Sequence, residues 1–302
     1  MKEQMTNEIK AITEHANPRT KDIDRLKSRS IVRLMNDEDK NVAEAVYRAL
    51  DRIADAVDLV AERLGAGGRL FYIGSGTSGR LGVLDASECP PTFGVSPDLV
   101  RGIIAGGPNA LSRSIEGAED DAEQGGLDLE AAGFTAKDVV VGLSASGSTP
   151  YTLGAIQYAK RASAGTISLT CNPSSPLAGA ADVNIVIVVG PEVIAGSSRM
   201  KAGTAQKMVL NMISTAAMIR MGLVYSNLMS NLVATNEKLR RRAVRIISDE
   251  TGLDSDEATA LFESAGRDLR VGLVMAKRRV PRKEAEALLG SHGGSVRRVL
   301  DE

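Results

Sequence analysis

The pattern of apolar and polar positions predicts a long helix near the start of the chain. Residues 1–38 are polar and mixed, with Pro18 and Asn36-Asp37 as interruptions. Behind Asp39, apolar residues recur at steps of three and four as far as Leu64, which is the period of an amphipathic helix. We therefore expect one helix that is capped by Asp39 and ended by the glycines that follow Leu64.

Short apolar runs between glycine-rich turns predict a different structure from residue 69 onward. Near-continuous Val, Ile and Leu are typical of strands buried on both faces, and strands that alternate with helices form a parallel sheet. The five predicted strands are Arg69–Ile73, Val100–Ala105, Asp138–Leu143, Thr166–Thr170 and Asn184–Val189. The predicted fold class is therefore α/β, a three-layer parallel sheet flanked by helices. We expect the helix after the first strand to end near Glu88, because Pro90-Pro91 follows it.

The rest of the chain has a helical pattern. A helix that is apolar on most sides starts near Lys201, and another is predicted over residues 227–249. After Gly252, three short helices are predicted over about 254–263, 268–278 and 281–290. These short helices predict a small helical domain at the end of the chain.

Charge and composition narrow the classes of function. The chain has 302 residues, with 37 Lys and Arg against 38 Asp and Glu, and this balance argues against a nucleic-acid partner. No apolar run reaches the roughly 18 residues of a membrane helix, and the first residues have no signal-peptide core. We therefore expect a cytoplasmic protein without a membrane partner.

Histidine and cysteine are scarce. The chain contains two histidines, His15 and His292, and two cysteines, Cys89 and Cys171. These numbers disfavour a disulfide scaffold, a histidine-ligated metal site and a Ser-His-Asp triad. We therefore expect no metal and no cofactor.

The loop after the first predicted strand, Gly74–Gly79, has the spacing G-x-G-x-x-G. A dinucleotide site would also need an acidic residue after the second strand, where this chain has Ala105-Gly106-Gly107. The hydroxyls of Ser75, Thr77 and Ser78 favour an anion or a sugar at the helix N-terminus instead. A glycine turn without a ligand is the alternative.

A second loop rich in hydroxyl groups follows the third predicted strand. Ser144, Ser146, Ser148 and Thr149 precede Pro150, which starts a helix. Hydroxyls and backbone N–H groups at the positive end of a helix suit a phosphate monoester, although a serine-rich helix cap is the alternative. Because ligands of parallel sheets bind at the carboxyl ends of the strands, the two loops together predict a phosphorylated sugar.

A third segment, Gly196–Thr204, lies before the buried helix and contains Ser197 and Ser198. Its basic residues, Arg199 and Lys201, could neutralise the charge of a substrate or cap the fold. The sequence supports both interpretations equally.

Acid–base chemistry in this chain falls to carboxylates or lysines, because histidine is nearly absent. Glu88 stands at the predicted end of a helix, where the negative end of the dipole favours a protonated acid; a surface glutamate is the alternative. Cys89 has no histidine close to it in the sequence, which disfavours a role for its thiol as a nucleophile.

A second acidic cluster consists of Glu116, Glu119, Asp120, Asp121 and Glu123. Such runs are usually solvated faces, and the pattern singles out no member.

Several long motifs resemble the N-acetylmuramic acid 6-phosphate etherases. The matching motifs are Gly74–Gly82, Asp85–Pro91, Ile115–Asp120, Ser197–Lys207, Ala234–Lys238 and His292–Gly294. The likeness extends from about Thr13 to the end of the chain, and no departure occurs at the positions that matter.

The resemblance implies an enzyme that cleaves the D-lactyl ether of a phosphosugar without a metal or a cofactor. It places the two catalytic glutamates of the family on Glu88 and Glu119, and it implies a homodimer. From the predicted helix end we expect Glu88 to be the acid, which leaves Glu119 as the base by elimination. The residues expected to bind substrate are Ser75, Thr77, Ser78, Ser144, Ser146, Ser148, Thr149, Ser197, Ser198 and Lys201.

The resemblance also implies a division into domains. The expected parts are an N-terminal helical arm (1–58), a phosphosugar-binding domain of the sugar-isomerase type (59–225), a connecting helix (226–249) and a three-helix domain similar to ubiquitin-associated domains (250–302). A sugar-phosphate-sensing regulator on the same fold, like the glucokinase regulatory protein, is the alternative function. It would not need both glutamates. An aldose–ketose isomerase is disfavoured by the motifs of the etherases.

Overall fold

Five parallel strands form one sheet in the computed structural model, which describes residues 12–234 and 236–302. The strands are β1 (Leu70–Gly74), β2 (Val100–Ile104), β3 (Val139–Leu143), β4 (Gly165–Thr170) and β5 (Val183–Val186). Their order across the sheet is β2-β1-β3-β4-β5. The three inner strands are buried along their whole length, as near-continuous apolar runs predict, whereas the edge strands β2 and β5 are partly exposed. The predicted parallel sheet is confirmed.

The chain divides into two units of dense internal contact. The first comprises Met1–Ser87 and Asp98–Ser214, and the second comprises Glu88–Pro97 and Thr215–Glu302. The first six helices are α1 (Ser28–Tyr47), α2 (Leu50–Gly65), α3 (Gly76–Phe93), α4 (Ala122–Ala131), α5 (Pro150–Arg161) and α6 (Lys201–Arg220). Of these helices, α2 and α5 pack against the strands of the sheet, and α4 packs against α5. Residues 1–11 of the predicted arm lie outside the described part of the chain.

The expected helix start at Asp39 is wrong, because α1 already begins at Ser28 and contains Asp39 in its interior. Asn and Asp cost only a few tenths of a kcal/mol in a helix, and Asp37 accepts a hydrogen bond from Lys40 one turn later, at 2.7 Å. The apolar period was real but is divided between two helices, because the chain leaves the helical path before α2 begins at Leu50.

The expected end of α3 near Glu88 is also wrong. The helix continues through Pro90 and Pro91 to Phe93. Prolines remove hydrogen bonds from a helix without always ending it. The helix ends at Gly94, which has a φ of +64° and donates its N–H to the carbonyl of Pro90 at 2.9 Å. Glu88 therefore lies within the helix rather than at its C-terminus.

The second unit is built mainly from short helices. They are α7 (Glu237–Thr251), α8 (Ser255–Ser264), α9 (Leu269–Arg278), α10 (Arg282–Ser291) and α11 (Val296–Asp301). The three predicted short helices are confirmed, and α11 is an addition. The helix that was expected from residue 227 starts only at Glu237, because the Asn236 side chain caps it by accepting the N–H of Leu239.

The core of the second unit contains the buried side chains of Ile247, Phe262, Leu273 and Val299. This small core fits the predicted helical domain. Within the described ranges of the chain, none of the helices has the length and apolar character needed to cross a membrane.

Candidate active site

The loops after β1 and β3 leave the sheet at the same level. Gly74 at the end of β1 is the register partner of Leu143 at the end of β3, so Ser75 and Ser144 are the first residues beyond neighbouring strand ends. This is the edge at which parallel sheets bind ligands. The two hydroxyl-rich loops predicted from the sequence therefore meet in the structure.

The first loop is shorter than its sequence suggests. Ser75 alone separates β1 from α3, so Thr77 and Ser78 belong to the first turn of the helix rather than to a six-residue loop. Gly79 permits this tight connection, because a Cβ atom there would stand 2.7 Å from Cγ1 of Ile104. The hydroxyls of this segment therefore have fixed directions.

Glu119 lies between the two loops. Its Oε2 atom accepts a hydrogen bond from Oγ of Ser75 at 3.1 Å, and its backbone carbonyl accepts the N–H of Tyr151 at 3.0 Å. Ser75 belongs to the β1 loop, whereas Tyr151 stands in the first turn of α5. The Glu119 side chain is exposed. The accessible carboxylate is thus held by the β1 loop, and the backbone of the same residue is fixed to the start of α5.

The β3 loop is a network of its own hydroxyl groups. Oγ of Ser144 lies 2.8 Å from Oγ1 of Thr149 and 3.3 Å from Oγ of Ser146, while the Ser148 hydroxyl donates to Ser146 at 3.0 Å. Ser144 is buried, Ser146 and Thr149 are half-buried, and Ser148 is exposed. The network therefore extends from the interior to the surface directly before α5.

Residues at the end of β4 and directly after it hold this loop in place. Asn172 donates its side-chain amide to the carbonyl of Ser146 at 3.2 Å, and Thr170 donates its hydroxyl to the carbonyl of Ala145 at 3.3 Å. Gly147 has a φ of +70°, and a Cβ atom there would collide with the side chain of Ser175. The loop is consequently fixed in shape before any ligand binds.

The first turns of α6 contact the start of α3. Ser78 is buried, and its hydroxyl donates to Oε1 of Gln206 at 3.0 Å. A Cβ atom on Gly203 would lie 3.4 Å from Cγ2 of Thr77. Ser78 is therefore turned toward a neighbouring helix, and its predicted contact with substrate gains no support from this geometry.

The third predicted segment, before α6, divides into two parts. Ser197 and Ser198 are half-buried. Lys201 is only 2% exposed, and its Nζ atom lies 2.7 Å from Oε2 of Glu38. Of the two interpretations of Lys201, the structure favours the one in which it stabilises the fold.

Comparison with known proteins places the chain in a family. Residues 52–160 match the model of the glucokinase regulatory protein N-terminal SIS domain, and residues 123–216 match the SIS domain model. An N-acetylmuramic acid 6-phosphate etherase of Escherichia fergusonii is 50% identical over 293 residues, which are 97% of this chain and 98% of that relative. The etherase of Symbiobacterium thermophilum is 58% identical over 263 residues, 87% of each chain. The chain belongs to the N-acetylmuramic acid 6-phosphate etherase family.

Among solved structures, this etherase-family chain is similar to two proteins that are named as isomerases. A phosphoheptose isomerase from Neisseria gonorrhoeae is 16% identical, with a TM-score of 0.48 over 63% of this chain and 98% of that chain. A putative phosphosugar isomerase from Bacteroides fragilis is 23% identical, with a TM-score of 0.48 over 64% and 90%.

The two glutamates that the etherase resemblance singled out lie in different units. Glu119 belongs to the first unit, with both hydroxyl loops, and Glu88 belongs to the second. Glu88 is exposed on α3, about three turns beyond Gly76 along the helix. Within the first unit, the structure thus brings Ser75, Glu119 and the β3 loop together.

Two residues that support the etherase site were not identified from the sequence. Arg80 donates to the carbonyls of Leu111 and Arg113, at 3.1 and 3.0 Å, and so fixes the segment that leads to Glu119. Gln206 receives the Ser78 hydroxyl. Both stand in motifs of the resemblance, but no local pattern reveals contacts to residues so distant in sequence. Over the described ranges, no group of three His, Cys, Asp or Glu side chains could hold a metal ion.

Proposed function

We propose that this enzyme hydrolyses the D-lactyl ether of N-acetylmuramic acid 6-phosphate. The products are N-acetylglucosamine 6-phosphate and D-lactate, and the reaction belongs to cell-wall amino-sugar recycling. One observation carries the proposal: the Ser75 hydroxyl holds the Glu119 carboxylate, while the Glu119 backbone carbonyl accepts the N–H of Tyr151 in the first turn of α5, directly after the braced hydroxyl loop. In this proposal, Glu119 is an acid–base group and the hydroxyl loop binds the phosphate. The names of relatives at 50% and 58% identity support the same reaction.

The reaction proceeds by elimination and addition of water. Opening of the sugar ring exposes an aldehyde, which acidifies the hydrogen on carbon 2. A base removes that hydrogen, the carbon 3–oxygen bond breaks, and the lactate oxygen takes a proton from an acid. Water then adds to carbon 3 of the unsaturated aldehyde. The enzyme class is a carbon–oxygen lyase, and its needs are a base, an acid and an anchor for phosphate.

Glu119 acts as the base in this proposal. The hydroxyl of Ser75 donates to Oε2 and so orients the carboxylate. In this proposal, Oε1 accepts the proton from carbon 2. The base role, which sequence reasoning reached by elimination, thereby gains a structural argument.

The phosphate binds the β3 loop. Ser144, Ser146, Ser148 and Thr149 supply hydroxyls at the N-terminus of α5, where the helix dipole favours negative charge. Thr149 precedes the helix but makes no side-chain cap to it. The remaining contacts of the sugar come from Thr77, Ser197 and Ser198 in this proposal, while Ser75 holds Glu119.

Glu88 acts as the acid that protonates the departing lactate oxygen. The argument from the helix end no longer supports this role, because α3 continues to Phe93. The role of Glu88 depends on the family resemblance alone. We include it because elimination requires a proton donor, and two carboxylates in different surroundings can divide the acid and base tasks.

The enzyme works in the cytoplasm as a homodimer in this proposal. The family resemblance supports the dimer. The chain contains only two cysteines, Cys89 and Cys171, both of them buried, and such a low cysteine content suits a reducing compartment.

The deciding experiment is incubation of the protein with N-acetylmuramic acid 6-phosphate and an assay for free D-lactate. Stoichiometric release of D-lactate is expected.

A sugar-phosphate-sensing regulator is the second candidate, because residues 52–160 match the domain model of such a regulator. That function predicts binding of the phosphosugar without release of D-lactate, and this outcome would overturn the proposed reaction.

A further inference from the structure

The segment that contains Ser197 and Ser198 is fastened by residues near the start of the chain. Thr13 accepts the N–H of Gly196 on its carbonyl at 2.9 Å, and Thr20 donates its hydroxyl to the carbonyl of Val193 at 2.8 Å. Asn17 donates its side-chain amide to the carbonyl of Pro191 at 3.3 Å. We call residues 190–201 the serine segment, and we call Thr13, Asn17, Thr20 and Glu38 the clasp. All four clasp side chains are buried.

Glu38 is the charged centre of the clasp. Its Oε2 atom accepts hydrogen bonds from Nζ of Lys201 at 2.7 Å and from the Asn17 amide at 3.0 Å, while Oε1 lies 2.8 Å from Nη1 of Arg19. Burial by itself raises the pKa of Glu38, but the hydrogen bond and charge of Lys201, with Asn17 and Arg19, outweigh it and hold the pKa below its usual value. The carboxylate is therefore ionised and fully engaged.

The backbone N–H of Lys201 also links the end of the serine segment to its beginning. Glu192 is buried, and its carboxylate accepts the backbone N–H groups of Lys201 and Ala202, at 3.0 and 2.9 Å. These N–H groups belong to the first turn of α6. Glu192 thus joins the two ends of the segment, and Glu38 fixes the closed segment to α1 through the side chain of Lys201.

The first turn of α6 leads from the serine segment to the candidate active site. Gly203 and Gln206, in the first two turns of α6, contact Thr77 and Ser78 at the start of α3. Lys201 therefore lies where the serine segment ends and where α6, the helix that contacts α3, begins. A displacement of Lys201 would move both.

We propose that Glu38 is a positioning residue for the etherase reaction. Through Lys201 and with the rest of the clasp, it holds the serine segment in the shape that binds the phosphosugar. The inference rests on the proposed contact of Ser197 and Ser198 with substrate. A buried ion pair often adds little net stability, so its place beside a substrate segment is better explained by position than by stability.

The test separates binding from stability. For the variant Glu38→Gln, KM for D-lactate release should rise on the order of tenfold, with kcat nearly unchanged, because uniform binding is lost. Lys201→Met should raise KM similarly, and the double variant should be no worse than the poorer single variant, because the two residues act as a unit.

Thr20→Val alters no buried charge, so it tests the clasp even if the variants of Glu38 and Lys201 fold poorly. It should raise KM several-fold, which is the loss expected for one neutral hydrogen bond of about 1 kcal/mol.

Asp138→Asn is the matched control. Asp138 is also a buried carboxylate paired with an arginine, Arg69 at 2.9 Å, but it stands at the amino ends of β1 and β3, opposite the site. This variant should lower the melting temperature and leave KM unchanged. If Glu38→Gln and Thr20→Val behave in the same way as this control, the positioning role is wrong. Absence of D-lactate release by the wild-type enzyme would instead refute the proposed function.

Discussion

The loops after β1 and β3 have similar compositions of serine, threonine and glycine but use their hydroxyls in opposite ways. In the β1 region, Ser75 donates to Glu119 and Ser78 donates to Gln206, so each hydroxyl serves another element. In the β3 loop, the hydroxyls bond one another within six residues. The first region therefore organises a carboxylate and a helix contact, whereas the second forms a pre-shaped cradle. Hydroxyl content alone does not distinguish the two roles.

The largest expected effect tests Glu119, the carboxylate that the β1 region holds. Glu119→Gln should abolish both exchange of the carbon 2 hydrogen in heavy water and release of D-lactate, because nothing removes the hydrogen. Glu88→Gln should retain exchange and release little lactate. Each loss should be about 10²–10⁴-fold, which is typical for a general acid or base. Exchange is measured by NMR and release by a lactate assay.

Glu116→Gln is the matched control for Glu119. Glu116 is an exposed member of the same acidic run, and its carboxylate receives only a long hydrogen bond from Ser114, at 3.5 Å, among the contacts described. It should leave exchange and release unchanged. Exchange that survives only in the Glu119 variant would reverse the two roles, and full lactate release by either variant would remove that residue from the mechanism.

The next largest effect tests the β3 loop as the binding site of the phosphate. Ser146→Ala and Thr149→Val should each weaken binding of N-acetylglucosamine 6-phosphate by tenfold to a hundredfold, because a hydrogen bond to a charged group contributes about 1.5–3 kcal/mol. Calorimetry measures the affinity, and N-acetylglucosamine without phosphate is the control ligand. If both variants bind the phosphorylated sugar as the wild type does, the phosphate does not bind this loop.

A smaller effect separates the two loops. Ser75→Ala removes the hydrogen bond to Glu119, but water can partly replace it because this pair is exposed, so the expected loss is about 1 kcal/mol. We expect kcat to fall about fivefold with KM unchanged, which is the opposite of the pattern for the β3 loop. Ser112→Ala, at another exposed serine, is the control. A rise in KM without a change in kcat would assign Ser75 to binding instead.

The elements that follow from local pattern were predictable from the sequence. The five strands are short, mainly apolar runs, and the β3 loop with its following Pro150 signals a helix start with hydroxyl donors. The start of α1 and the end of α3 were missed, because Asp39 and Pro90 are local signals that tertiary packing overrides. Asp costs only a few tenths of a kcal/mol in a helix, and even the roughly 3 kcal/mol of a proline is offset by the burial of a helix face.

The site was predictable in its parts and not in its connections. The pattern alone could not select Glu119 from five neighbouring acids, since the distinguishing contacts are with Ser75 and with the backbone of Tyr151. The partner of Lys201 stands 163 positions earlier in the chain. No periodicity or motif carries information over that separation, which is why substrate binding and internal pairing seemed equally supported for Lys201.

The smallest expected effect concerns metal ions and follows from the cradle. If hydroxyls and the N-terminus of α5 neutralise the phosphate, no divalent cation is needed to hold it. Prolonged chelation with EDTA should therefore change neither kcat nor KM for D-lactate release. The matched measurement is the affinity for N-acetylglucosamine 6-phosphate before and after chelation. Loss of this affinity, restored by zinc or magnesium, would show that the β3 loop binds phosphate only together with a cation. Loss of kcat with unchanged affinity would instead place a cation at the reacting carbons, where the carboxylates alone are proposed to act.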